Sequence, residues 1–194
     1  MIMPEKKFGD KIILASGSPR RAELLQQADI SFRIQKSDAE ELQSDSIDPI
    51  EIVILNAVKK AEVVAKNNKY DWVLGADTLV CLGRKIYGKP TCLPHAERML
   101  LDFQGKTHQV ITGVALVNQS RQITKTFYDV TDVAFKHLTI QQIRDYLALI
   151  NPLDKAGGYA IQEYGELIVE KTDGSFSNVI GLPIEKLLQE LNNI

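Results

Sequence analysis

The heptapeptide Ala15-Ser-Gly-Ser-Pro-Arg-Arg21 concentrates groups that bind anions. Ser18 can cap a helix, and Pro19 suits the first turn of one. Arg20 and Arg21 then share that turn, where a cation opposes the helix dipole at a cost of a few tenths to about 1 kcal/mol. An anion resting on the free N–H groups, between two hydroxyls and two guanidinium forks, would offset that cost. A capped helix whose arginines pair with nearby acids accounts for the same residues equally well. The segment is not a Walker A loop, because the Gly-Lys-Ser/Thr ending is missing.

Further along, Lys60 falls on the apolar stripe Ile50, Val53, Ile54, Ala57, Ala61 and Val64 of a long amphipathic segment. A lysine on that face must either snorkel to water or meet an anion. Asp77 interrupts the apolar run Val73-Leu-Gly-Ala-Asp-Thr-Leu-Val80. A carboxylate in such a strand needs a pairing, a metal or a set of hydrogen bonds. It is either a structural aspartate or a cleft residue next to Gly75. Lys89, in Gly88-Lys-Pro90, can return toward Asp77 one hairpin later. The acidic pair Glu40-Glu41 can be a solvated loop or a source of a second hard oxygen ligand. His108 has no nucleophile beside it and reads as structural.

These residues need elements to carry them. Lys11 to Ala15 reads as a short strand that turns through Ser-Gly-Ser-Pro into a helix ending near Gln27. Ser31 to Gln35 is a second extended piece. Pro49 opens a helix to about Lys66, and Asp71 to Cys81 is a buried strand returning at Gly83-Arg84 through Ile86-Tyr87. Pro94 opens a helix that Gly105 closes. Val110–Val117 and Ile123–Phe135 pair around Asn118–Arg121. Thr139 and Gln142 form a capping box for a helix to Leu149, which Asn151-Pro152 stops. Gly165 to Glu170 is expected as a strand, Asp173-Gly174 as a turn, and Pro183 as the start of the last helix. Mixed strands and helices with hairpins predict α/β architecture on a mixed sheet.

Composition narrows the class. The 194 residues hold 23 Lys plus Arg against 25 Asp plus Glu, a net charge of −2. That excludes a broad polycationic face, and with it a nucleic acid polymer or an anionic membrane as partner. No apolar run approaches the roughly 20 residues of a membrane span. Met1 to Lys11 lacks the apolar core of a signal peptide. Cys81 and Cys92 have no metal-binding spacing and read as ordinary thiols of a reducing cytoplasm. No linker or repeat divides the chain, so a single domain over 1–194 is expected.

Taken in order, several of these segments resemble the Maf family of nucleoside triphosphate pyrophosphatases, also called septum formation inhibitor proteins. The carriers are Ala15–Arg21, Asn56-Ala-Val-Lys-Lys-Ala61, Gly75-Ala-Asp-Thr78, Gly88-Lys-Pro90, Gly105-Lys-Thr-His-Gln-Val110, Leu153-Asp-Lys-Ala-Gly157, Ile161-Gln162 and Ser177-Asn-Val-Ile-Gly-Leu-Pro183. The resemblance implies two lobes about a deep cleft on a mixed twisted sheet, similar to the inosine triphosphate pyrophosphatase architecture. It implies hydrolysis of a nucleoside triphosphate, dTTP or UTP, to monophosphate and pyrophosphate with a divalent cation (Mg²⁺, Mn²⁺ or Co²⁺). A sister group acting on 7-methyl-GTP carries Ser and Gln around the motif aspartate, where this chain has Ala76 and Thr78.

By position, the resemblance makes Asp77 the catalytic acid/base or metal carboxylate. Glu41, or less readily Glu40, becomes the second metal residue. Ser16, Arg20, Arg21, Lys60 and Lys89 match phosphate-binding positions. Arg20, Thr78 and Gln162 match positions linked to substrate choice. Glu163 departs from the glycine of many relatives. A homodimer is expected. The competing readings are a non-catalytic nucleotide-binding regulator of cell division and a pyrophosphatase for purine or modified nucleotides.

Overall fold

The computed structural model describes residues 12–44 and 46–193. Lys11, the expected start of the first strand, and the charged stretch Met1 to Lys11 lie outside the described residues. The elements are β1 (Ile12–Leu14), α1 (Pro19–Gln27), β2 (Phe32–Ile34), α2 (Pro49–Ala65), β3 (Trp72–Leu82), β4 (Lys85–Tyr87) and α3 (Leu93–Phe103). They continue with β5 (Thr107–Asn118), β6 (Ile123–Phe135), α4 (Ile140–Leu147), β7 (Val169–Asp173), α5 (Phe176–Ile180) and α6 (Ile184–Asn192). Short 3₁₀ turns occupy Pro152–Asp154, Ala156–Gly158 and Gly165–Leu167.

Among the described residues, seven strands form one mixed sheet ordered β2-β1-β3-β5-β6-β7, with β4 also on β3. β1 runs parallel to β2 and β3, while the long β3, β5 and β6 are antiparallel. Those three strands join two apolar ends. At one end Leu100, Phe103, Phe135 and Tyr146 pack under α3 and α4. At the other, Ile12, Leu25, Leu74 and Leu116 pack with α1 and α6. Ala57, Ala61, Val73 and Ala115 seal α2 onto the sheet there.

β3 explains where an opening can form. β1 covers its edge only along Trp72–Leu74, and β4 only along Val80–Leu82. Among the described residues, the stretch from Gly75 to Leu79 has no strand on that side. Alternation along this bare edge sends successive side chains to opposite faces of the sheet. Asp77 therefore points to α2, and Thr78 to α1 and α5.

Helix α2 starts at Asp48, whose carboxylate accepts the Ile50 N–H at 2.8 Å, and Pro49 fills the first position. Its buried face is Ile52, Val53, Asn56, Ala57, Ala61, Val64 and Ala65. This stripe is rotated from the expected one: Ile52 and Asn56 are inside, while Ile50 and Ile54 are only partly covered. Gly75 and Gly113 permit the close approach. A Cβ on Gly75 would run into the Ala57 carbonyl oxygen, and one on Gly113 into the Val53 carbonyl. Gly75→Ala is therefore expected to destabilise the fold by about 1–3 kcal/mol through overpacking. For a chain of this size that is roughly 2–4 °C of melting temperature per kcal/mol. Thermal unfolding by circular dichroism checks it, and an unchanged midpoint would show that the helix can step back freely.

Two expectations need correction. The strand expected at Gly165–Glu170 begins only at Val169, because Tyr164 adopts a left-handed φ of 56° and Gly165–Leu167 turns as 3₁₀. Ile168 then drops into the core while Leu167 stays out, so the apolar trio 167–169 is not a strand face. Ser18 sits at the N-cap of α1, yet its hydroxyl makes no capping bond. Ser16 Oγ instead accepts the Ser18 N–H at 3.2 Å.

Candidate active site

The bare edge of β3 opens into a cleft of about 800 Å³, lined from both ends of the sheet. That volume lies within the roughly 300–1,000 Å³ of small-molecule sites. Ser16, Arg20, Arg21, Glu41, Lys60, Asp77, Thr78, Lys89 and Gln162 all line it. Folding thus gathers these nine candidates at one opening. Glu40 does not line the cleft.

Asp77 is the most constrained of them, only 6% exposed. Its Oδ1 accepts from Lys60 Nζ at 2.7 Å and its Oδ2 from Asn56 Nδ2 at 2.9 Å. Lys60 Nζ lies equally close to Glu41 Oε1, at 2.7 Å. The lysine on the apolar face therefore meets two carboxylates instead of snorkelling. Burial works to raise the Glu41 carboxyl, but the Lys60 hydrogen bond and charge, aided by Lys89 and Arg21, outweigh it and hold it below the usual range.

Asn56 also fixes the acidic loop. Its Oδ1 accepts the Leu42 N–H at 2.7 Å, and its Nδ2 reaches the Leu42 carbonyl at 3.1 Å. This two-point clamp sets which glutamate faces Lys60. From sequence alone, Asn56 enters only within the Asn56–Ala61 motif and is given no role, although it stands one helical turn before Lys60 and so shares its face.

On the other face, Arg21 is committed to three neutral acceptors. Nε donates to Gly181 O at 2.8 Å, Nη1 to Ser16 Oγ at 3.1 Å and Nη2 to Thr78 Oγ1 at 3.0 Å. Desolvation lowers its pKa, partly countered by the field of Asp77, yet a guanidinium stays charged. Thr78 is held in turn by Thr112, Oγ1 to Oγ1 at 3.0 Å. Arg20 behaves differently: it pairs with Asp154, Nη1 to Oδ2 at 2.8 Å. Lys36 and Lys155 also line the cleft, two cations that the sequence reading did not single out.

His108 is structural, as expected. Its Nε2 lies 2.8 Å from the Tyr159 hydroxyl, its ring stacks on Phe103, and burial pushes its pKa down to about 3. It is a neutral core imidazole. Cys81 is buried and Cys92 exposed, both free thiols.

A divalent cation can be tested against this donor set. Among the described residues, no group of three or more His, Cys, Asp or Glu side chains is placed to hold a metal. Glu41 and Asp77, converging on one ammonium, supply two carboxylates. Mg²⁺ typically takes one or two carboxylates and completes its shell with phosphate oxygens and water. The residues fit an ion that arrives with a phosphate chain. They do not form a cage that would hold one alone. Among the described residues, no helix is long and apolar enough to cross a membrane.

Known proteins share this arrangement of sequence. The chain is 48% identical over 181 residues to the dTTP/UTP pyrophosphatase of Bacillus mycoides (strain KBAB4), covering 93% of this chain and 94% of that one. It is 47% identical, with the same coverage, to the proteins of that name from Bacillus cereus (strain B4264) and Bacillus anthracis. The family profile described as Maf-like protein matches residues 11–194, which takes in every cleft residue above. A match of that extent, joined to the identities, places the chain in the Maf-like protein family.

Proposed function

We propose that this protein hydrolyses nucleoside triphosphates, dTTP and UTP foremost, to the monophosphate and pyrophosphate, with residues 1–194 acting as one catalytic domain. The observation that carries the reading is Asp77. It is a buried carboxylate at the bare edge of the central strand, within a cleft rich in cations. A carboxylate has about four lone-pair sites, and Lys60 and Asn56 use two. The remainder can take a proton. The names of the relatives supply the substrate class.

In this reading Asp77 accepts the proton of a water as its oxygen bonds to the α-phosphorus. The bond from that phosphorus to the bridging oxygen breaks, and pyrophosphate leaves. Arg21 supports the charge on the phosphate chain. Its hydrogen-bond partners are neutral, so no directly paired carboxylate cancels its field. Lys60 and Lys89 add charge from α2 and from the Gly88-Lys-Pro90 segment, and Ser16 adds a hydroxyl. Thr78 and Gln162 border the region assigned to substrate choice. Glu41 and Asp77 would hold a divalent cation, which supplies neutralisation of the phosphate oxygens.

A purely regulatory nucleotide sensor has no need of a buried carboxylate at this edge. Purified protein with Mg²⁺ and a panel of dTTP, UTP, dCTP, ITP and 7-methyl-GTP tests the reading. Pyrophosphate release, fastest with dTTP and UTP, is the expected result. Orthophosphate release would overturn the assigned bond, and binding without turnover would return the protein to the sensor class.

A further inference from the structure

Arg20 does not stand alone in the cleft wall. Asp154 accepts from it twice, through Oδ2 at 2.8 Å and through its backbone carbonyl at 3.3 Å. The other carboxylate oxygen, Oδ1, accepts from Lys155 Nζ at 2.9 Å. Lys155 is only 5% exposed, and it is tied further to Asn151 O at 2.8 Å and to Glu163 Oε1 at 3.4 Å. One buried ammonium therefore holds two carboxylates. Asp154 fixes Arg20 in the cleft lining, and Glu163 adjoins Gln162.

We propose that Asp154, Lys155 and Glu163 form a positioning triad that sets nucleotide discrimination by fixing Arg20 and the Gln162 segment in the lining of the cleft. The inference rests on the proposed function, together with the family resemblance that links the positions of Arg20 and Gln162 to substrate choice.

The chemistry favours support over simple pairing. A lone surface ion pair contributes little and exchanges freely with water. Here the pair is anchored from behind, because Lys155 is buried and already holds Asp154. A buried ammonium without its carboxylates would be costly, so the anchor resists displacement. Arg20 is thereby held with two N–H groups engaged and the rest available to the cleft. A guanidinium only donates. Held still, it favours a pyrimidine with a carbonyl at C4 over one with an amino group there, since thymine presents an acceptor and cytosine a donor. Released from Asp154, it would reorient and lose that preference. Glu163 places the backbone next to Gln162 against the same ammonium.

The test is a cycle of Asp154→Ala, Arg20→Ala and the double variant, reading kcat/KM for dTTP against dCTP. Asp154 is half-exposed, and Lys155 keeps Glu163 and Asn151 without it, so the folded state is retained. In Asp154→Ala the dTTP preference falls by about tenfold, the size of coupling found between residues in contact. In the Arg20→Ala background the same substitution changes the ratio by less than about twofold. Glu163→Gln, which keeps size and removes charge, lowers the ratio in the same direction.

An unchanged ratio in Asp154→Ala overturns the proposal. So does a uniform fall in KM for all nucleotides, which would make Asp154 a competitor for Arg20. So does an equal loss with Arg20 absent. A wild-type protein that releases pyrophosphate from no nucleotide overturns the functional reading, and this inference with it.

Discussion

Asp77→Asn lowers kcat for dTTP by about 10²–10⁴, the contribution of a positioned general base. The substitution keeps the shape of the side chain and removes its capacity to take a proton. It also disturbs a tight set of bonds. Lys60 Nζ and Asn56 Nδ2 are both donors aimed at the two carboxylate oxygens. An amide presents one acceptor and one donor, so its NH₂ must face one of them. Asn56 is not free to turn over, because Leu42 engages both ends of its amide. The conflict costs about 1–3 kcal/mol of stability.

Rate and stability must therefore be read separately. The expected pattern is a modest drop in melting temperature, a loss of dTTP affinity much smaller than the loss of kcat, and a collapse of pyrophosphate release. Turnover at the wild-type rate would remove Asp77 from the role of base. A loss of affinity matching the loss of kcat/KM would make it a binding residue.

How far the site was legible depended on whether its signal was local. Asp77 stood out because a single charge broke an apolar strand, and strand alternation then fixed its face. Lys60 stood out because helical spacing put a cation on an apolar stripe. The choice of Glu41 over Glu40 was open by local pattern. It is made by the Asn56 clamp on Leu42, a contact between residues fourteen apart whose geometry exists only after α2 docks.

The rotation of that helix, which buries Ile52 and Asn56, follows from Gly75 and Gly113. Neither glycine marks itself as a docking point until strand and helix meet. Asp154 ends one 3₁₀ turn and Lys155 is the extended residue between it and the next, a stretch with no periodicity to read. Their motif was visible while their partners, Arg20 and Glu163, were not. The mixed sheet followed from hairpins in the middle of the chain. The bare edge between β1 and β4 did not, because it depends on how short two strands happen to be.

Lys60→Met is expected to lower stability at neutral pH by about 3–5 kcal/mol, the cost of leaving one member of a buried ion pair without the other. At roughly 2–4 °C per kcal/mol, the loss is large on a melting curve. The side chains of Lys60 and Asp77 are 12% and 9% exposed, so water cannot replace the missing ammonium. Methionine matches the stem of the lysine, which keeps packing from confusing the result. Adding Asp77→Asn to Lys60→Met removes the stranded charge and recovers most of the loss, which a packing defect would not do.

The pH dependence has a definite sign. In the wild type Glu41 titrates below its ordinary value of 4.5. A depressed carboxyl contributes stability that is complete above that ordinary value and fades as pH falls through the lower folded value. Lys60 is the main source of the depression. The variant lacks that contribution at neutral pH and has little of it left to lose in acid. The stability gap between wild type and Lys60→Met therefore narrows as the solution is taken from neutral to about pH 3. Urea unfolding across that range measures it. A gap that stays constant or widens would mean that Lys60 packs against the strand without pairing to its carboxylates.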